Sequence, residues 1–179
     1  MNRLAIVDPT TATGRAKELL DAVKSKMGVV PNMTRAMANS PAVLSGYLGL
    51  AGALGSGVLT AKVGEQVALA VGEANGCDYC LAAHSFIGKK AGLNEAEVIE
   101  NRRGHSNDPK VEALIRFART VLDRRGKVAD ADLTAVREAG YGDAEIAEAV
   151  AHVALNVLTN FLNNVAETPI DFPKAAPLA

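Results

Sequence analysis

The stretch EQVALAVGEANGCDYCLAAH, residues 65–84, decides the fold class, because it predicts one helix, a sharp stop and the start of a second helix. Thr60 can cap the first helix, whose apolar residues recur at helical spacing. Asn75-Gly76 is typical of a helix end, since both residue types tolerate the left-handed backbone conformation. The second helix begins at Cys77 or one residue later and is expected to run to Ala91-Gly92. Two helices joined by a tight turn therefore frame the two cysteines.

The same signals predict helices along the rest of the chain. No run of residues alternates polar and apolar side chains in the way that a half-buried strand does. Asn, Asp, Thr and Pro mark the expected helix starts, and Gly marks several expected ends. The predicted fold class is therefore all-α, a compact multi-helix bundle. Its further helices are expected at about residues 13–27, 33–39, 41–54, 95–101, 109–126, 130–140 and 143–167.

The length of 179 residues predicts a single domain over residues 1–179, because a domain of this size can bury a sufficient core. A redox core over about 41–104 is followed by C-terminal helices over 108–167 and by an extended, proline-containing tail over 168–179. Hydrophobic residues make up 49% of the chain and aromatic residues only 4%. An apolar content carried by Ala, Leu and Val favours closely approaching helices over sheets.

Charge and hydropathy exclude several classes of function. The net charge is −1 and no basic run exceeds a pair, so a nucleic-acid-binding protein is not expected. Residues 36–61 lack charge, but Pro41 and five glycines argue against a membrane span there. The first residues lead to Asp8-Pro9 rather than to a dense apolar run, so no secretory signal is predicted. We expect a cytoplasmic protein without nucleic-acid or membrane partners.

Cys77 and Cys80 are separated by two residues, a spacing at which a disulfide can form and reopen. Disulfides are rarely structural in an intracellular chain of this size. Both cysteines lie in the first turn of the predicted second helix, where unpaired N–H groups and the helix dipole stabilise a thiolate. The spacing therefore predicts a redox-active pair.

His84 and Glu65 complete the predicted catalytic set. His84 follows Cys80 by four residues, so it lies on the same helix face and could take the thiol proton. It is also about two turns from Cys77, but farther along the axis. Glu65, on the preceding helix, could reach His84 if that helix returns antiparallel. We predict that Cys80 attacks a peroxide oxygen, that Cys77 resolves the sulfenic acid, and that an outside thiol or dithiol reduces the disulfide.

These four residues reproduce a Glu-x11-Cys-x-x-Cys-x-x-x-His pattern, by which the chain resembles the alkylhydroperoxidase D-like and carboxymuconolactone decarboxylase superfamily, in particular its peroxidase-related branch. The resemblance extends over residues 28–32 and 156–173. It implies a helical bundle of the alkylhydroperoxidase D-like type and peroxide-reducing or general dithiol–disulfide activity, with no bound cofactor. It also implies symmetric homo-oligomers, commonly trimers or hexamers. The chain differs from the best-known peroxidase members at Tyr79, where they have a His immediately before the second Cys.

Three other interpretations stay open. A lactone decarboxylase is suggested by kinship within the superfamily, although such a reaction has little use for the cysteine pair. A non-catalytic oligomeric redox sensor would use the disulfide to change its assembly. A zinc site would need four ligands, and a second Cys/His pair at similar spacing is absent from the sequence, so no metal is predicted.

The last predicted helix carries a polar stripe of one histidine and three asparagines. Buried polar groups of this kind need partners, which a helix or subunit interface would supply. Alternatively, the stripe lines the cavity above the cysteines. Candidates for substrate contact are Tyr79, His152 and Asn156, whereas His105 lies in a polar loop and is given no role. The stripe consists of His152, Asn156, Asn160 and Asn163.

The last helix also predicts self-association. It is apolar nearly all round, which is typical of a helix that is central or at an interface. Abundant Ala and Gly allow close approach between helices. We expect a homo-oligomer that buries part of this helix.

Overall fold

The computed structural model describes residues 3–178, so Ala179, the last residue of the predicted tail, lies outside the described part. Residues 3–178 form nine helices and no strand, which confirms the all-α fold class. In chain order they are α1 (Gly14–Met27), α2 (Asn32–Met37), α3 (Pro41–Leu54), α4 (Ala61–Ala74), α5 (Asp78–Lys90), α6 (Glu95–Arg102), α7 (Pro109–Asp123), α8 (Asp130–Glu138) and α9 (Asp143–Ala166).

Local capping interactions explain the boundaries of the helices around the cysteine region. Thr60 accepts a hydrogen bond from the Val63 N–H, 3.3 Å away, at the start of α4. Gly76, directly after α4, has φ of 58°, the left-handed conformation that glycine adopts at little cost. Asn94 and Glu97 form a reciprocal capping box at the start of α6. The two helices that carry the cysteine region are therefore separated by a turn that the local sequence specifies.

Helix α4 lies at the centre of the bundle, packed against α5, α6, α7 and α9. Its long buried run leaves little of the helix in contact with solvent. Val67 and Val71 join the largest hydrophobic cluster, in which Leu114 of α7 and Val153 of α9 are also buried. A second cluster, which includes Leu20 and residues of α2 and α3, holds the N-terminal helices together. Packing from several sides fixes α4, and hence Glu65, relative to α5.

Helix α9 packs against α3, α4, α5 and α7, but one of its faces remains exposed. The exposed apolar residues recur at helical spacing, so they lie on one face, the α9 stripe. The members of the stripe are Val150, Leu158, Phe161 and Val165.

Among the described helices, none is both long and apolar enough to cross a membrane.

The tail after α9, residues 168–178, has no regular secondary structure and returns across the bundle. The buried Arg102 guanidinium holds it near its end. Arg102 Nε donates to Glu73 Oε2 at 2.7 Å, and Nη1 donates to the Ala176 carbonyl at 2.6 Å. Helix α6 ends at Arg102, one residue beyond its predicted end, and the side chain of this arginine joins α4, α6 and the tail.

Candidate functional site

The two cysteines form a disulfide at the start of α5. Cys77 is the N-cap residue of this helix, and its Sγ accepts a hydrogen bond from the Cys80 N–H at 3.2 Å. Cys77 is 0% exposed and Cys80 is 2% exposed. Cys80 lies on the wall of an internal cavity, whereas Cys77 does not line it. The Asn163 amide of α9 donates to Cys80 Sγ at 3.3 Å. The structure thus gives the two sulfur atoms different surroundings.

Glu65 and His84 lie in contact across α4 and α5, with Glu65 Oε2 2.8 Å from His84 Nδ1. A carboxylate can only accept hydrogen bonds, so Nδ1 of the histidine donates. In neutral His84, Nε2 then carries the lone pair and can accept a proton. Both residues line the same cavity as Cys80. Three of the four predicted catalytic residues, Glu65, Cys80 and His84, thus line one cavity, and the fourth, Cys77, is bonded to Cys80.

The charge of Glu65 also changes the proton affinity of His84. Burial by itself would lower the pKa of the imidazole, because it disfavours the charged form. The nearby carboxylate and its hydrogen bond outweigh burial, and the pKa of His84 is raised above its ordinary value. A histidine with a raised pKa is a stronger proton acceptor for a neighbouring thiol.

The cavity has a volume of about 260 Å³ and an apolar lining with a few polar groups. Met33, Leu54 and Leu155 are among its apolar walls. Polar side chains also line it, Glu65 and Cys80 among them. Apolar walls with a small number of polar groups are typical of a small-molecule site. The other polar residues on the wall are Thr34, Tyr47, Thr60, Tyr79, His84, His152, Asn156 and Thr159.

Tyr79 lies between the cysteines in sequence, and its hydroxyl is committed to two partners. It donates to Asp171 Oδ1 at 2.8 Å and accepts from the Met33 N–H at 3.1 Å. Burial raises the pKa of this phenol well above its usual range, even though the Met33 hydrogen bond opposes the shift. Tyr79 is thus a neutral group that ties α2 and the tail to the cysteine turn. It lines the cavity without a free hydroxyl proton.

His152 enters the cavity from α9 and crosses close to α4. A Cβ atom at Gly64 would lie 3.0 Å from its Cε1, so the absence of a side chain at Gly64 makes room for the ring. Its Nε2 is buried and has no hydrogen-bond partner among the described residues. Burial lowers the pKa of His152, although the charges of Glu148 and Glu65 act in the opposite direction. The ring is therefore neutral near pH 7.

The polar stripe of α9 divides between the cavity and internal contacts. His152 and Asn156 line the cavity, and Asn156 Nδ2 donates to the His152 carbonyl at 2.9 Å. Asn160 Oδ1 accepts from Asn75 Nδ2 at 2.8 Å, which joins α9 to the end of α4. The stripe thus serves both a helix interface within the chain and the cavity wall.

Histidine titration provides a direct check on these electrostatics. The pKa of His84 is expected above 6.5 and that of His152 below it, for the reasons given above. The ring signals of the three histidines can be followed by NMR from pH 5 to 8.5, with His84→Gln and His152→Gln for assignment. A His152 midpoint above that of His84 would contradict this description of the cavity.

Two residues of the site, Tyr47 and Asp171, were not among those predicted from sequence. Tyr47 lines the cavity, and burial followed by the charge of Glu65 raises its pKa. The sequence indicated it only as a hydroxyl-bearing aromatic residue in the uncharged helix α3. Asp171 binds Tyr79, and nothing local in the sequence indicated that contact. Asn163 belongs to the predicted polar stripe, and its contact with Cys80 places this end of the stripe beside the cysteines.

Two other groups bear on possible chemistry. His105 is exposed, with Nδ1 3.2 Å from Glu112 Oε1, and it does not line the cavity. Within residues 3–178, no three His, Cys, Asp or Glu side chains lie close enough together to hold a metal ion. The Glu65–His84 pair in the cavity that Cys80 lines offers proton transfer beside a cysteine pair.

Part of the chain is similar to a known protein family. A profile of the carboxymuconolactone decarboxylase family matches residues 41–104, which contain the Glu65–His84 pair and both cysteines. No curated protein sequence matches the chain significantly.

Solved structures show the same fold over nearly the whole chain. The alkylhydroperoxidase AhpD core of a peroxidase-related protein from Ralstonia eutropha JMP134 is 24% identical, with a TM-score of 0.83 over 95% of this chain and 92% of the other. A peroxidase-related protein from Silicibacter sp. TM1040 is 20% identical, with a TM-score of 0.80 over 98% and 91%. The debrominase Bmp8 is 16% identical, with a TM-score of 0.72 over 88% and 86%.

Proposed function

We propose, from the match of residues 41–104 to the carboxymuconolactone decarboxylase family and from the fold shared with peroxidase-related proteins, that the chain is an alkylhydroperoxidase D-like protein, a thiol-dependent peroxidase or dithiol–disulfide oxidoreductase that reduces hydroperoxides. One observation carries this proposal: Cys80 lines an apolar cavity together with the hydrogen-bonded Glu65–His84 pair. A thiolate needs a proton acceptor and access to substrate, and the cavity that Cys80 lines supplies access and contains His84 as the candidate acceptor.

The proposed reaction begins with the reduced protein. His84 Nε2 takes the Cys80 proton, while Glu65 holds the ring and stabilises the imidazolium charge. The thiolate attacks the outer oxygen of the hydroperoxide, the O–O bond breaks, and an S–O bond forms. The leaving alkoxide takes the proton from His84 and departs as an alcohol. Cys80 is then a sulfenic acid.

The second half of the cycle uses Cys77. Its thiol attacks the Cys80 sulfur, the S–O bond breaks, and the oxygen leaves as water with the Cys77 proton. The product is the disulfide present in this structure. An external dithiol returns both cysteines to thiols and is itself oxidised to a disulfide. No bound cofactor takes part in this cycle.

We place the substrate oxygen near His152 and Asn156, with Tyr79 as a fixed wall. The buried Nε2 of His152 has no protein partner, and an unsatisfied buried polar group is costly unless a ligand or water pairs with it. In NMR spectra, adding 2-phenylpropan-2-ol, the alcohol product of cumene hydroperoxide, should shift the His152 signals but not those of His105. Equal shifts for both residues would argue against this placement.

Stopped-flow oxidation of the reduced protein tests the proposed activity. Hydrogen peroxide, tert-butyl hydroperoxide and cumene hydroperoxide are each expected to oxidise it much faster than they oxidise free cysteine, and turnover should continue with a thiol-regenerating system. Oxidation no faster than that of free cysteine would overturn the proposal. A redox sensor would be oxidised once without turnover, and a lactone decarboxylase would retain its activity in Cys80→Ser.

We also propose a homo-oligomer, a trimer or hexamer, that buries the α9 stripe. Phe161 is 54% exposed and Val165 is 60% exposed, which is unfavourable for large apolar side chains in a monomer. Phe161→Glu should shift sedimentation toward the monomer, whereas Val29→Glu, at an exposed site outside α9, should not. Monomeric wild-type protein at micromolar concentration would contradict this proposal.

The proposed compartment is the cytoplasm. A cysteine pair that cycles between dithiol and disulfide needs a supply of reducing equivalents, which a reducing compartment provides. A reducing protein is a candidate partner only if it can reach the disulfide, and that access depends on the tail.

A further inference from the structure

A C-terminal strap, residues 169–173, lies over the turn that carries the disulfide. Asn32 of α2 anchors it with two hydrogen bonds, from its side-chain amide to the Pro169 carbonyl at 3.1 Å and from its backbone N–H to Asp171 Oδ2 at 2.7 Å. The other carboxylate oxygen of Asp171 accepts from the Tyr79 hydroxyl at 2.8 Å. One carboxylate therefore joins the strap both to α2 and to the residue between the cysteines.

Apolar contacts close the space beneath these hydrogen bonds. The Phe172 ring meets the Tyr79 ring edge to face, with centroids 5.8 Å apart, and lies 6.0 Å from the Phe86 ring. Ile170 and Phe172 pack against the buried cluster of Tyr79 and both cysteines. The strap is thus packed onto the disulfide region rather than lying loosely over it.

This cover restricts which reductant can reach the sulfur atoms. Thiol–disulfide exchange requires direct contact between an incoming thiolate and a disulfide sulfur. Cys77 is fully buried and Cys80 is 2% exposed, so neither sulfur is available at the outer surface. The open side of Cys80 is the cavity of about 260 Å³, which admits a small molecule but not the surface of a folded protein.

We propose that the C-terminal strap excludes protein dithiols from the Cys77–Cys80 disulfide, so that the closed protein is reduced by a low-molecular-weight thiol or dithiol that enters the cavity. This inference rests on the proposed redox function of the pair. A small thiolate attacks Cys80 Sγ, the S–S bond breaks, and Cys77 leaves as a thiolate that takes a proton. A second thiol of the reductant then releases Cys80 as a thiol, and the reductant leaves as a disulfide.

The test measures reduction of the oxidised full chain by dithiothreitol and, separately, by reduced thioredoxin, with no peroxide present. Asp171→Ala removes both carboxylate contacts, and Phe172→Ala removes the aromatic cover. Reduction by thioredoxin requires the open strap, so its rate should rise about tenfold or more in each variant, in proportion to the open fraction. In Asp171→Ala the rate with dithiothreitol should change less than about threefold, because its route does not require opening. Phe172 also lines the cavity, so in Phe172→Ala the expected result is a larger rise with thioredoxin than with dithiothreitol.

Lys174→Ala is the matched control, since it lies in the same tail but outside the strap and should change neither rate. Phe172→Leu keeps apolar cover and should give an intermediate rise with thioredoxin, which provides a milder variant if Phe172→Ala fails to fold. The proposal is overturned if thioredoxin reduces the wild type and all strap variants equally fast. Equal acceleration of both reductants would also overturn it. Because no peroxide is used, a protein without peroxidase turnover would still give a readable result.

Discussion

Cys80→Ser is expected to abolish oxidation of the protein by hydroperoxides, with a loss of at least ~100-fold in rate. Cys80 lies on the cavity wall that Glu65 and His84 share, whereas Cys77 is fully buried and does not line the cavity. Cys77→Ser should therefore still be oxidised once, and its sulfenic acid should persist because no resolving thiol is present. Mass spectrometry with a dimedone probe should find the adduct on Cys80.

The serine pair is a matched test, because both substitutions replace sulfur with oxygen in the same turn. The helix start favours a thiolate at either position, and Cys77 occupies the N-cap itself. Access to the cavity, rather than thiolate stability, supports the assignment of the attacking role to Cys80. If Cys77→Ser removes all peroxide reactivity while Cys80→Ser is trapped by dimedone, the two roles are reversed.

His84→Gln and Glu65→Gln are expected to slow peroxide attack by about 100-fold, the lower end of typical losses on removing a general base. His84→Gln removes the proton acceptor and the positive charge that stabilises the thiolate, so the apparent thiol pKa should rise. Glu65→Gln removes the charge that raises the pKa of His84. Less of the imidazole is then protonated, so less positive charge is available to stabilise the thiolate. Rates measured from pH 5 to 9 should show both profiles displaced to higher pH. His105→Gln, at an exposed site outside the cavity, should leave the rate unchanged.

The free energy of unfolding, measured against pH, provides a second readout for the Glu65–His84 pair. The pKa of His84 is raised above 6.5 in the folded state, so its stabilising contribution is fully present below about pH 6.5. That contribution is lost as the pH rises through the raised value. The stability difference between wild type and His84→Gln should therefore shrink toward high pH. Profiles and rates identical to wild type in both Gln variants would remove the pair from the mechanism.

The sequence was sufficient to predict elements that local chemistry controls. Helix caps and stops act within one or two turns, as at Thr60, Asn94 and Gly76. The structure therefore confirms the helices that begin or end at these residues. The cysteine spacing similarly confines both sulfur atoms to one turn. The Glu65–His84 contact needed an additional inference, that α4 and α5 return antiparallel, which a tight turn between packed helices makes probable.

Contacts between distant parts of the chain could not be predicted in the same way. Asp171 and Tyr79 are 92 residues apart, and Asn163 and Cys80 are 83 residues apart. No periodicity or motif links such pairs, because each contact depends on how the whole bundle packs. The tail illustrates the difference, since an extended segment was predicted but its position over the disulfide was not.

The setting of Arg102 bears on how the tail responds to salt. The Arg102 side chain is 6% exposed, and its contacts with Glu73 and the Ala176 carbonyl are partly buried. Mobile ions screen exposed charge pairs strongly but buried pairs much less. The hydrogen bonds of Asp171 to Asn32 and Tyr79 are likewise short-range contacts. Changes in ionic strength should therefore leave the tail in place, and the choice of reductant should be the same in dilute buffer and in concentrated salt.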